Sequence, residues 1–360
     1  MGCSTSTEAH VGGTTSVPPN TSHSIHYPNS TKGHASPSKS NTNSSTARPS
    51  LVNTACSMSA DVDWKEFSAL VPFRDQFFII PDDLTIIRTA PSNYLKTEVG
   101  ILEGKSVLIK FADMGQSTDV IAKSRKALVS EIMSMVRIHH PNIVEFKGFT
   151  ISPEKGLTCI TENMEGKTLR VLLDNKKRFD KLTWEVEKIK YAIDICSALV
   201  YMHSLKPTLI HRNIKASKVL LNKNGTMAKL SGFGVSRDRT FEKEMTNKIG
   251  DVEWSAPELI MVDEDYTEKV DVYSFGVLLT ELDTGAFPLA DVKATMHATA
   301  FTNKVVAGSL RPKLSPECPP VIVQIVKSCL QLDPHLRPSS GRILDMLLNA
   351  KDTLAATAHP

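Results

Sequence analysis

Between Leu209 and Leu221 the chain reads LIHRNIKASKVLL. A loop of the form H-R-D-x-x-x-x-N transfers phosphoryl groups: its Asp accepts the proton of an attacking hydroxyl and its Asn holds a metal ion. Here those two places read Asn213 and Lys218. Asn213 accepts a hydrogen bond but takes no proton at neutral pH, and the Lys218 ammonium offers donors and no lone pair. General-base assistance is worth about 10²–10⁴ in rate, or roughly 3–5 kcal/mol. A second metal-holding place, the first residue of D-F-G, reads Gly232 in KLSGFGVSR. Glycine supplies no side-chain ligand, whereas Mg²⁺ wants oxygen ligands in octahedral geometry. Base and both ligands are absent together, so no catalytic position is intact.

The elements that must position this loop fall into a sheet-rich part and a helix-rich part. LTIIRTA, TEVGILEG and SVLIKFA are short runs rich in β-branched residues, separated by Gly, Ser and Asn, and they predict a small antiparallel sheet. A helix is expected around SRKALVSEIMSMVRI, then two more strands in NIVEFKGFTI and GLTCITENM. From Trp184 onward helices dominate: Ile189, Ile193, Cys196 and Val200 recur at helical spacing. DVYSFGVLLTELDTG is apolar around much of its circumference, as a buried helix is. Sheet followed by helices implies two lobes with a cleft between them, an α+β architecture.

Ahead of the lobes, residues 1–60 are rich in Ser, Thr, Asn, His and Pro, with Glu8 the only acid before Asp61. Such a segment buries too little apolar surface to offset its chain entropy, so it is expected to be disordered. A transit peptide is the competing reading, weakened by Arg48 being the only Arg there. In DVDWKEFSALV, the spacing of Val62, Phe67, Leu70 and Val71 predicts a short helix within a 61–80 linker. The net charge of +3 gives no argument for a nucleic-acid partner. The six cysteines form no CxxC or Cys/His cluster, so reduced, mostly buried thiols are expected and no zinc site. No apolar run approaches ~18–20 residues, and no secretory h-region follows the start.

In order, these motifs resemble the protein-kinase superfamily, specifically its tyrosine-kinase-like group of Ser/Thr kinases. VLIK ends at Lys110, the strand lysine, and Glu131 stands at the place of its ion-pair partner on the family's αC helix. HHPNIV follows, then TENMEGKTL, similar to the hinge, with Thr161 at the gatekeeper place. LVYMHS leads into the loop at His211 and Arg212, and Phe233 and Gly234 complete the second motif. WSAPEL carries Glu258, DVYSFGVLLTEL begins with Asp271, and DPHLRPS supplies Arg337, the family's partner of Glu258. Ile80, Pro81 and Leu84 resemble that group's usual lead-in. The resemblance covers residues 81–350 as a kinase-like domain, leaving 351–360 as a tail. It implies the two-lobed kinase fold, with αC in the small N-lobe.

The resemblance also shows what is damaged. Lys110, Glu131, Thr161, Glu162, Met164, Leu108 and Leu220 are the residues it implies around a nucleotide. Lys110 and Glu131 admit a second reading, as a purely structural strand-to-helix pair. Ala90, Pro91, Ser92, Asn93, Tyr94 and Leu95 stand where G-x-G-x-x-G belongs; Pro91 has no N–H and the side chains block close backbone approach. Leu108 replaces the alanine that roofs the adenine; it either fills that slot or shifts the strand. Lys218 is either a substitute cation for phosphate or a solvated or internally paired lysine. Asp251 replaces the activation-segment Thr, which is expected to remove a catalytic-loop contact. The expectation is a pseudokinase needing no cofactor, with weak ATP binding at most and no Mg²⁺. The alternative is a weak or atypical ATP-dependent Ser/Thr kinase, a specificity that Lys215 in HRNIK would fit.

MGCSTS matches the N-myristoylation pattern M-G-x-x-x-[ST], with Gly2 as acceptor. One myristoyl chain binds membranes only marginally, with K around 10⁴ M⁻¹. Lys32, Lys39 and Arg48 are too sparse for a polybasic patch, which makes palmitate on Cys3 the expected second anchor. The bland alternative is an ordinary disordered start. The expected location is the cytoplasmic face of a membrane, plasma membrane in the first instance, and otherwise the cytoplasm. The expected partners are proteins, an active kinase or a receptor complex, and the membrane surface.

Overall fold

The computed structural model describes residues 64–90, 95–235, 237–238, 251–261 and 265–358. Residues 1–50 and 51–360 form separate units, and every described residue belongs to the second. Gly2, Cys3, Val62 and the Pro91–Tyr94 part of the expected glycine-loop replacement lie outside the described residues.

The first five strands are β1 (Thr85–Ala90), β2 (Lys96–Leu102), β3 (Lys105–Phe111), β4 (Phe146–Ser152) and β5 (Gly156–Glu162). They form one antiparallel sheet in the order β1-β2-β3-β5-β4. Alternation decides what each face of β3 does. Val107, Ile109 and Phe111 are buried with Ile160 on one face. Leu108 and Lys110 therefore share the other face, directly opposite Thr161 and Cys159 of β5. Helix α1 (Thr118–Met135) lies between β3 and β4 in sequence and starts nearly two turns earlier than its apolar pattern suggested. Leu128, Ile132 and Met135 of α1 are buried in the main core.

The segment before β1 differs from its expectation. Residues 68–73 form a 3₁₀ helix and Arg74–Phe77 a single α-turn, rather than one helix. Pro72 lies inside the 3₁₀ stretch and lacks an N–H, which removes an α-helical bond. Nor is the segment a loose linker. Phe67 and Leu70 are buried, while Val71 points outward at 46% exposure. Arg125 of α1 pairs with Glu66 and sits over the Phe67 ring. Trp64 packs edge-on against Phe78 and Phe149. The strap closes on β4 through Ile79 N–H to Phe149 O at 2.8 Å. Gly148 makes this crossing feasible: a Cβ there would lie 2.4 Å from the Phe77 carbonyl oxygen.

The second lobe contains α2 (Leu169–Asp174), α3 (Ile189–Ser204), α4 (Lys269–Thr284), α5 (Ala290–Thr295), α6 (Ala298–Val306), α7 (Pro320–Cys329) and α8 (Ser340–Ala358). Every residue of α4 from Val270 to Asp283 is buried, as its all-round apolar sequence requires. α3 packs on α8, and α4 on α7. Short strands β6 (Leu209–Ile210), β7 (Val219–Leu221), β8 (Ala228–Leu230) and β9 (Arg237–Asp238) pair as β6–β9 and β7–β8. β6 and β7 bracket the His211–Lys218 loop, and β8 precedes Gly232. The architecture is α+β, two-lobed, with a five-stranded antiparallel sheet preceding a helical part. One apolar core runs through both lobes, and Phe233 belongs to it together with Leu128, Ile132 and Leu230.

Candidate active-site cleft

Lys110 reaches from β3 to Glu131 on α1, Nζ to Oε1, at 2.6 Å. Burial alone would lower the basicity of this lysine, but neighbouring negative charge, chiefly Glu131, together with the Glu131 hydrogen bond holds the pKa above the ordinary lysine value. Beneath it, burial pushes the Cys159 thiol well up, so this cysteine is inert. Leu108, on the same face of β3, stays half-buried, as do Met164 and, from β7, Leu220. The Thr161 hydroxyl is buried without a hydrogen-bond partner among the described residues. The carboxylate of Glu162 is already committed: it accepts from Lys229 Nζ at 2.6 Å and from the Glu145 N–H at 2.7 Å. That pair ties the end of β5 to β8 across the cleft.

The loop from His211 to Leu221 is held by one buried carboxylate. Asp271 accepts the N–H of His211 and the N–H of Arg212, both at 2.7 Å, and lies 3.1 Å from His203 Nε2. Burial would raise its pKa, but the His203 hydrogen bond and the two histidine contacts pull it below the usual carboxylate value. Arg212 takes a left-handed φ of +62° at this turn. Burial depresses the His211 imidazole to about 4. Both its nitrogens are engaged: Nε2 donates to Ser231 O at 3.1 Å, and Nδ1 accepts the Asn213 N–H at 3.3 Å. His211 is thus neutral and fully bonded, with no capacity to replace the missing base. Its ring meets Phe233 edge-on at 5.0 Å, linking the loop to the core.

Lys218 and Gly232, two separate losses in the sequence, are in contact. Ser231 N–H bonds to Lys218 O at 2.8 Å, which lays the two loops side by side. A Cβ built on Gly232 would meet Lys218 Cδ at 2.7 Å, Cε at 3.2 Å and Nζ at 3.4 Å. The lysine stem therefore crosses the space that an aspartate side chain would occupy, and its ammonium ends there. Gly232 also has φ +90°, a left-handed conformation that a side chain would strain. Burial, followed by the charges of Lys215 and Lys110, lowers the Lys218 pKa. Asp251 does not merely lose a contact, as the sequence suggested. It forms an ion pair with Lys215 of the same loop, and Lys215 sits over the Trp254 ring at 5.3 Å. Farther down, Glu258 and Arg337 meet as a bidentate pair, Nη1–Oε1 at 2.5 Å and Nη2–Oε2 at 2.9 Å.

A lysine–glutamate bridge from strand to helix, a loop pinned by a buried aspartate, and a bidentate Glu–Arg pair together form the frame of a phosphoryl-transfer cleft. Residues 97–347 match the family model described as protein tyrosine and serine/threonine kinase. The chain belongs to the protein kinase superfamily. The breadth of that model agrees with the tyrosine-kinase-like resemblance. The kinase domain is 36% identical over 250 residues to a probable serine/threonine-protein kinase of Dictyostelium discoideum, covering 69% of this chain and 26% of that protein. It is 33% identical over 266 residues to the serine/threonine/tyrosine-protein kinase HT1 of Arabidopsis thaliana, covering 72% of this chain and 65% of HT1. A third relative, a cyclic GMP-binding protein C of Dictyostelium discoideum, is 27% identical over 270 residues and is covered to 10% of its length. The chain thus spans a quarter of the first relative's length.

Two ligands of this family can be tested against the kinase domain. For Mg²⁺ the donor set does not fit: the two metal-holding places carry an ammonium and a glycine, and an ammonium repels a cation. For a nucleotide the fit is better. Half-buried Leu108 and Leu220 offer apolar walls, Lys110 a cation, and Thr161 an unpartnered hydroxyl. Two recesses, of about 450 Å³ around Trp254 and Phe287 and about 400 Å³ around Cys318, lie away from these residues, are shallow and are lined by second-lobe residues alone. Sequence reasoning missed the Lys215–Asp251 and Glu162–Lys229 pairs. Each joins opposite charges from distant segments, and within the sequence only the unusual Asp251 hinted at one of them.

Proposed function

We propose that this kinase domain is a pseudokinase that acts by binding, as a signalling scaffold, decoy or allosteric partner of an active kinase or receptor complex. One observation carries the reading. Asp271, His211 and Arg212 hold the loop in working order, while the Lys218 stem occupies the space of the missing metal-holding carboxylate at Gly232. Neutral decay has no reason to spare the frame and fill the reaction centre. Asn213 adds the loss of the base, and the Asp251–Lys215 pair neutralises the remaining loop lysine. The tethering part of the proposal rests on MGCSTS, which supports acylation at Gly2 and Cys3 and a place on a cytoplasmic membrane face. Among the described residues no helix is long and apolar enough to cross a membrane.

The full chain, incubated with labelled ATP, Mg²⁺ or Mn²⁺ and a generic basic protein substrate, is expected to transfer no phosphate above a Lys110→Met control. Gly232→Asp alone is expected to restore nothing, since it supplies a ligand without a base and collides with Lys218. Metal-dependent autophosphorylation that disappears in the control would instead favour a weak Ser/Thr kinase.

A further inference from the structure

We infer that Lys218 takes the place of the metal ion, so that the cleft binds the polyphosphate of a nucleotide without a divalent cation. The inference shares one premise with the pseudokinase reading, the loss of the metal ligands, and goes beyond it in naming a ligand. Position is the first argument. The Lys218 ammonium lies 3.4 Å from where a Gly232 Cβ would be, in the volume of a metal-holding carboxylate.

Charge is the second argument. One aspartate with one divalent ion carries a net +1, and Gly232 with a protonated Lys218 carries the same +1. Taken as a pair, the two substitutions keep one positive charge in front of a phosphate, and Asn213 removes a negative one from the same loop. The neighbouring charges are Lys110, satisfied by Glu131, and Lys215, satisfied by Asp251. Lys218 has no ion-pair partner among the described residues. Glu131 and Asp251 are engaged by Lys110 and Lys215, so the Lys218 ammonium is left to meet an anion placed between Lys110 and Lys218. The apolar Leu108 and Leu220 adjoin this cationic end and suit a base rather than a bare phosphate.

The test is calorimetric titration of the full chain with ATP, adenosine and tripolyphosphate, each in EDTA and again with excess Mg²⁺. ATP is expected to bind in EDTA, with an affinity that Mg²⁺ fails to improve. Lys218→Met, which keeps the stem and removes the charge, is expected to weaken ATP at least tenfold, while Lys218→Arg stays within about threefold. Matched melting temperatures confirm that the variants fold. The inference is overturned by absence of ATP binding in EDTA at millimolar concentration, by a tenfold or greater gain from Mg²⁺, or by unchanged binding in Lys218→Met. Tripolyphosphate binding as tightly as ATP overturns the nucleotide assignment, and tight adenosine binding overturns the role of the phosphates. Phosphoryl transfer is not read here, so a negative titration leaves the pseudokinase reading standing, and activity in the earlier assay leaves this one open to its own result.

Discussion

Arg337→Ala is expected to destabilise the kinase domain by about 3–5 kcal/mol, the usual cost of breaking one side of a buried ion pair. Arg337 is 1% exposed and makes two bonds to Glu258. It also donates to the carbonyls of Gln331, Lys269 and Leu332 and lies over the Tyr273 ring at 5.1 Å. Truncation leaves the Glu258 carboxylate and three carbonyls without their donor, in a place where water enters poorly. For a domain of this size, each 1 kcal/mol moves the midpoint by about 2–4 °C, so a fall of roughly 6–20 °C is expected in thermal melting. Pairing the change with Glu258→Leu removes the stranded charge and is expected to recover part of the loss. An unchanged melting temperature for Arg337→Ala means that the pair does not hold the second lobe together.

The residues of this pair stand 79 positions apart, yet both were legible in the sequence, because each sits in a motif whose order is fixed. The same holds for Lys110 and Glu131. The strands were legible for a different reason: β3 alternates, and alternation says which side chains share a face before any partner is known. The strap before β1 was legible only in part. Phe67 and Leu70 announced burial, but their spacing did not reveal that Pro72 would divide the segment into 3₁₀ and α-turns. Least legible was the relation between substituted positions. Lys218 and Gly232 read as two independent losses, and Asp251 as a third. Packing makes the first two one unit and joins Asp251 to Lys215, because a long lysine stem fills whatever a neighbouring side chain vacates. Local pattern fixes elements. Contacts between substituted loops arise only when the fold brings them within a few ångströms.

Gly2→Ala is expected to abolish membrane association outright, whereas Cys3→Ser is expected to leave it weak and reversible. The asymmetry follows from the order of the two acylations. Gly2 is the only myristate acceptor the motif offers, and myristate is what brings the adjacent thiol to membrane-bound acylating enzymes. Without it neither chain is added. Without Cys3 a single myristoyl chain remains, and its K of about 10⁴ M⁻¹ divides the protein between membrane and solution. The flanking charges do not alter this, since Lys32, Lys39 and Arg48 are the only fixed cations in residues 1–60. Residues 1–60 fused to a soluble reporter are therefore expected to reproduce the whole pattern. Fractionation of the intact chain and both variants, with metabolic labelling by myristate and palmitate analogues, reads each step separately. If the Gly2→Ala chain remains in the membrane fraction, the anchor is not this motif, and the scaffold loses its tether while the reading of the cleft is untouched.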